Sequence, residues 1–218
     1  MTTASGHDEA LKTGLSFAYR LHRGSPEGRT FILLHGSGVD ETTLVPLARE
    51  VSPDATLIAV RGRIMQDDSR RWFTRITPTR FDQKSIRGEA ASFAVFVREL
   101  AAAENFDAED VVFIGYSNGG NLVSSLMLLH PGLVRRAALL RSMPVLDHVP
   151  PTRLDASKVL VIAGARDETY GPYAPALAAL LAEHGADVES LVVPSGHEFG
   201  SEDAKRIRKW LTGREAFA

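Results

Sequence analysis

Short apolar runs alternate along the chain with stretches in which apolar residues return every three or four positions. The runs are "LSFAYRLH" (15–22), "TFILLHG" (30–36), "ATLIAVRG" (55–62), "VVFIGYS" (111–117), "RRAALLRS" (135–142), "KVLVIAG" (158–164) and "DVESLVVP" (187–194). Several are apolar without strict alternation, the pattern of strands covered on both faces of a mostly parallel sheet. Between them the spacing predicts helices over 44–51, about 85–103, 119–130, 174–184 and 201–211. In the longest, Ile86, Ala90, Phe93, Val97 and Leu100 fall on one buried face. Ser201, followed by Glu202 and Asp203, predicts a hydroxyl cap with acids in the first turn of the last helix. This alternation predicts an α/β fold: a central sheet of about seven strands with helices on both faces. No repeat, low-complexity segment or linker interrupts it, so one domain over 1–218 is expected.

Charge and composition narrow the classes of partner. Twenty-five Lys and Arg against 27 Asp and Glu leave a formal net charge of −2, so nothing in the whole molecule calls for nucleic acid or an anionic membrane. The absence of cysteine excludes disulfides, thiolate metal sites and a cysteine nucleophile. The polar start "MTTASGHDEALKTGLSFAYRLHRG" has no apolar signal region, and nowhere do eighteen apolar residues run together. A cytoplasmic protein with no membrane span is expected.

One strand end carries chemistry. "IGYSNGGN" (114–121) places Ser117 between Gly115 and Gly119 after an apolar run and before a helix. Strand, G-x-S-x-G, helix is the nucleophile-elbow pattern: a sharp turn strains the serine backbone and lifts its hydroxyl above the sheet. Side chains two before and two after would collide across the turn, which accounts for the glycines.

A serine hydroxyl needs an imidazole to take its proton and a carboxylate to orient that imidazole, in the chain order serine, acid, histidine. Of the later histidines, His130 and His184 sit at predicted helix ends and His148 in the proline-rich "LDHVPPTR". His197, in "SGHEFGSED", follows a strand on a glycine loop, and Asp167, in "GARDETY", follows another, with Glu168 as a substitute acid. Both reach the strand C-terminal edge, where ligand sites of parallel sheets lie. Asp147 and Asp155 follow no clear strand. Acyl transfer further requires donors to the developing oxyanion, and the N–H groups of Asn118 and of Ser37, in "LLHGSGVDETT", are the candidates.

The segment 61–84 is the longest connection without a clear helix. Met65, Trp72, Phe73 and Ile76 are candidates for an apolar substrate pocket, although the aromatic pair equally suits the core. Its six arginines either attract an anionic substrate or form a solvated face paired with Asp67, Asp68 and Asp82.

Taken together, "LLHGSG", "GYSNGG", "RRWF", "GARDETY" and "SGHEFG" resemble the carboxylesterase/phospholipase family of α/β-hydrolases, which includes acyl-protein thioesterases, over roughly 28–212. The resemblance implies an α/β-hydrolase fold without a cap domain and a catalytic triad of Ser117, Asp167 and His197. It also implies Ser37 and Asn118 as oxyanion donors, no cofactor, no metal, and a small-molecule ester as substrate. Acyl-protein thioesterases usually carry glutamine where Asn118 stands and leucine where Ser37 stands, and Asp40 comes one residue later than in their loop. The chain thus looks closer to a bacterial carboxylesterase branch. Carboxylesterase action is the leading expectation, with thioesterase or lysophospholipase-type action, or a ligand-binding protein without turnover, as alternatives. A homodimer is left open.

Overall fold

A computed structural model describes residues 10–213. Residues 1–9 and 214–218, part of the expected 1–218 domain, lie outside the described residues. In chain order the elements are β1 (Tyr19–His22), β2 (Thr30–Leu34), α1 (Val45–Val51), β3 (Thr56–Val60), β4 (Ile64–Gln66), β5 (Ser69–Arg71), β6 (Arg75–Thr77) and β7 (Arg80–Phe81). They continue with α2 (Gln83–Glu104), β8 (Val111–Tyr116), α3 (Asn118–Leu129), β9 (Arg136–Leu140), β10 (Lys158–Gly164), α4 (Ala174–Glu183), β11 (Asp187–Val193) and α5 (Ser201–Thr212).

Seven strands form the central sheet in the order β1-β3-β2-β8-β9-β10-β11. All its pairings are parallel except β1 with β3. All seven predicted strands are present. Their near-continuous apolarity has a direct cause: successive residues enter different cores. Along β8, Val111 and Phe113 pack on the side of α2, α3 and α4, while Val112 and Ile114 pack on the side of α1 and α5. Along β10, Val159 and Val161 alternate with Leu160 and Ile162 in the same way. The predicted face of α2 lies wholly in the first core. The stretch 141–157 holds neither helix nor strand, so no cap domain interrupts the sheet there. This is the α/β-hydrolase fold.

One local expectation is corrected. Gly200, not Ser201, is the N-cap of α5; its N–H donates to the Asp203 carboxylate at 2.9 Å, and the Ser201 hydroxyl turns to Glu50 at 2.9 Å. Within 61–84 the chain forms two small hairpins, β4–β5 and β6–β7. The first turns on Asp67 and Asp68, with φ of 50° and 55°. Successive left-handed residues make the tight hairpin turn that asparagine and aspartate tolerate best.

Two buried ion pairs brace the loops around the sheet. Glu41, 1% exposed, accepts from Arg20 Nε at 2.8 Å and from Arg61 Nε and Nη2 at 2.6 Å each, joining the loop after β2 to β1 and to the end of β3. Arg141, 1% exposed, meets Asp203 through two parallel bonds of 2.8 and 3.0 Å, joining the end of β9 to the first turn of α5.

These pairs make separate predictions. Burial pushes the Glu41 carboxyl up, but the two arginines outweigh it and bring it from 4.5 to about 2. Its charge therefore stabilises the fold fully above the unfolded value, and the contribution is lost as pH falls from about 4.5 towards 2. Urea unfolding is expected to show a stability gap between the wild type and Glu41→Gln of about 3 kcal/mol near pH 6, closing towards pH 2. A gap independent of pH contradicts the assignment. Arg141→Leu strands the Asp203 carboxylate in the interior, so denaturant unfolding should show a loss of about 3–5 kcal/mol; a loss below about 1 kcal/mol contradicts it.

Candidate active site

Ser117 follows β8 directly, at φ 52° and ψ −118°, a conformation that residues with a side chain rarely adopt. Backbone bonds hold it on both sides: its N–H donates to the Leu140 carbonyl at 2.8 Å, and its carbonyl accepts from Asn121 N–H at 2.9 Å. The flanking glycines make room for two different contacts. A Cβ at Gly115 would stand 2.6 Å from Gly120 Cα, across the turn as expected, whereas at Gly119 it would run into the carbonyl oxygens of Leu34 and His35. Gly119 therefore lets the turn press against the end of β2.

Three strand ends converge on the hydroxyl. His197, four residues beyond β11, brings Nε2 to 3.0 Å from Ser117 Oγ. Its Nδ1 lies 2.8 Å from Oδ2 of Asp167, three residues beyond β10. The other Asp167 oxygen accepts the N–H groups of Thr169 at 3.2 Å and Tyr170 at 3.0 Å. Burial pushes the Asp167 carboxyl up, but the Tyr170 amide and His197 more than offset it and hold the group below the usual carboxylate range. A charged Asp167 draws the imidazole proton to Nδ1, which leaves the Nε2 lone pair aimed at Ser117. The neighbouring Glu168 is exposed. The rings of Tyr116 and Tyr170 lie 5.4 and 5.2 Å from the imidazole, and the Tyr116 hydroxyl donates to the His197 carbonyl at 3.2 Å.

Arg141 fixes the loop that carries this histidine. Beyond its pair with Asp203, it donates to Ser195 Oγ at 2.8 Å, the Gly196 carbonyl at 3.1 Å and the Glu198 carbonyl at 2.9 Å. Sequence reasoning missed this residue. The available signal was a lone arginine ending the apolar run "AALLR", matched by an acid in the first turn of α5.

Of the two candidate oxyanion donors, Ser37 lines the same pocket as Ser117 and Asn118 follows that serine directly in sequence. The Ser37 N–H finds no acceptor among the described residues, and Asn118, as first residue of α3, has no intrahelical acceptor for its N–H. His35, fully buried beneath this loop, accepts the Gly62 N–H at Nε2 (3.0 Å), so its proton sits on Nδ1 and is donated to the Gly36 carbonyl at 2.6 Å. Burial pushes the His35 pKa down and keeps the ring neutral. The Asn118 amide oxygen accepts Trp72 N–H at 2.8 Å, and the indole N–H donates to the His35 carbonyl at 2.8 Å. The asparagine after the serine thus ties α3 to the hairpin segment.

The pocket around Ser117 has a volume of about 320 Å³. Ser37, Arg75, Pro78, Thr169 and Tyr170 line it together with Tyr116, Ser117 and His197. None of the four expected pocket residues is among them. Trp72 and Phe73 are fully buried in the core, while Met65 and Ile76 are 56% and 59% exposed. Nor do the expected acids pair with the arginines of 61–84: Arg61 meets Glu41, and Arg63 meets Glu89 at 2.7 Å. A larger cavity of about 410 Å³ opens near the starts of β2 and β3, at the opposite edge of the sheet. Among the described residues no group of three His, Asp or Glu side chains is arranged to hold a metal ion, and no helix is long and apolar enough to cross a membrane.

No model of a protein family matches the chain. The crystal structure of a carboxylesterase from Mesorhizobium loti is 58% identical, superposes with a TM-score of 0.92, and is matched over 95% of this chain and 100% of its own. The Bacillus cereus carboxylesterase is 26% identical with a TM-score of 0.87, over 92% of this chain and 95% of its own. MhqD of Bacillus subtilis, a provisionally assigned hydrolase, is 28% identical over 180 residues, 82% of this chain and 90% of its own. With its elbow serine, its cap-less seven-stranded sheet and these relatives, the chain belongs to the carboxylesterase/phospholipase family of α/β-hydrolases.

Proposed function

We propose that the protein is a serine hydrolase of small carboxylic esters, with Ser117, His197 and Asp167 as its triad. The observation that carries this reading is the continuous relay of 3.0 and 2.8 Å from the Ser117 hydroxyl through the His197 imidazole to the Asp167 carboxylate. His197 takes the serine proton at Nε2 as Ser117 Oγ attacks the ester carbonyl. The resulting imidazolium is stabilised by Asp167, which keeps its charge. The N–H groups of Ser37 and Asn118 receive the oxyanion, and the partial positive charge at the start of α3 adds to them. His197 then gives its proton to the departing alcohol, leaving an acyl group on Ser117. Water, deprotonated by His197 in turn, releases the acid and restores the serine.

The side chain of His197 is 40% exposed, so a water molecule can reach the imidazole without any lid opening. The absence of a cap and the small pocket with polar lining favour short esters over long acyl chains.

Turnover of a short aryl ester by Ser117→Ala is expected to fall by at least about 10⁴-fold, because triad members act as a unit. Asp167→Asn is expected to lower kcat by a comparable factor of about 10⁴, since an amide no longer enforces the reactive tautomer. Steady-state rates with circular dichroism as a folding control measure both. Near-normal turnover in folded Ser117→Ala refutes the assignment.

A further inference from the structure

The pocket beside Ser117 contains a cation that the reaction cycle does not use. Arg75 lines it with Ser117, His197 and Tyr170. The Gln66 amide clamps the backbone of this residue: Arg75 N–H donates to Oε1 at 2.9 Å, and its carbonyl accepts from Nε2 at 2.8 Å. The hairpin that begins at Arg75 is tied to the site at its tip, where the Tyr170 hydroxyl donates to the Pro78 carbonyl at 3.2 Å. The arginine is thus built on a fixed wall.

It is also not neutralised. Arg61 and Arg63 each face a glutamate, but Arg75 has no carboxylate partner among the described residues. A second arginine adds to the same field. Arg71 is 4% exposed, and its Nε has no hydrogen-bond partner among the described residues. Burial and the charge of Arg75 both push its pKa down, and the field of Asp67 opposes them only in part. Both cations act on the Tyr170 phenol, which burial raises and the two arginines pull back. No aspartate or glutamate lines the pocket, and the Asp167 oxygens are taken by His197, Thr169 and Tyr170. One cation lining the pocket beside the nucleophile, a second buried close enough to act on Tyr170, and no acid in the lining favour an anion in that space. The planar fork of arginine fits a carboxylate in particular.

We propose that this site takes esters carrying a second, free carboxylate, with Arg75 gripping that carboxylate and Arg71 reinforcing the field. This deepens the serine-hydrolase reading and rests on it.

The test compares kcat/KM for paired esters in a pH-stat. Monoethyl succinate against diethyl succinate places the carboxylate on the acyl side, and 3-acetoxybenzoate against phenyl acetate places it on the alcohol side. In at least one pair the wild type is expected to favour the charged ester by about tenfold. In Arg75→Gln that ratio should fall by about tenfold, mainly through KM, while Arg75→Lys retains part of it. Raising the salt concentration should shrink it in the wild type. Circular dichroism and the thermal midpoint report whether each variant is folded. No preference in either pair, or the same preference in Arg75→Gln, overturns this inference and leaves the serine-hydrolase reading standing. No turnover of any of the four esters overturns it as well, and reaction of Ser117 with a phosphonate then decides whether the underlying reading falls too.

Discussion

The backbone of Ser117 is the constraint on which the rest of the site depends. A left-handed φ with ψ near −118° costs on the order of 1–3 kcal/mol and persists only where the surroundings over-determine it. Here they do so through bonds to Leu140 and Asn121 and through glycines that let α3 start hard against the end of β2. With the backbone held in this way, the hydroxyl lies 3.0 Å from His197 Nε2, and α3 begins at the very next residue. A relaxed turn at this position would carry Ser117 away from His197 and dissolve the relay.

The parallel sheet explains why the partners arrive at one place. β2, β8, β10 and β11 run in the same direction, so the loops leaving their C-terminal ends bring Ser37, Ser117, Asp167 and His197 to a common edge. Convergence alone does not hold a histidine on a loop. Arg141 supplies that rigidity from β9, bonding three residues of the 195–198 loop while its pair with Asp203 fixes the start of α5. The interior cation is structural on one side of the site; on the other, Arg75 lines the pocket with no carboxylate partner among the described residues.

The strands and helices were legible because burial on two faces leaves a strong trace. Val111 to Ile114 and Val159 to Ile162 are apolar at every position, since neighbours enter different cores. The candidate triad was legible because each member follows such a run in the required order. The hairpins were not: strands of two or three residues rich in arginine carry no periodicity, and only the Asp67–Asp68 turn marks them. The pocket was misread for the same reason. Trp72 and Phe73 are apolar and adjacent to the site in sequence, yet the hairpins fold them inward against Phe93 and Phe81. Arg141 escaped notice because its partner lies 62 residues away.

We propose that Ser117, alone among the hydroxyls of the described residues, is made nucleophilic by its surroundings. The most direct measurement is exposure of the purified protein to a fluorophosphonate, followed by intact mass and peptide mapping. A single adduct on Ser117, absent in His197→Ala, is the predicted result. An unmodified Ser117, or adducts distributed over other serines, would contradict the account.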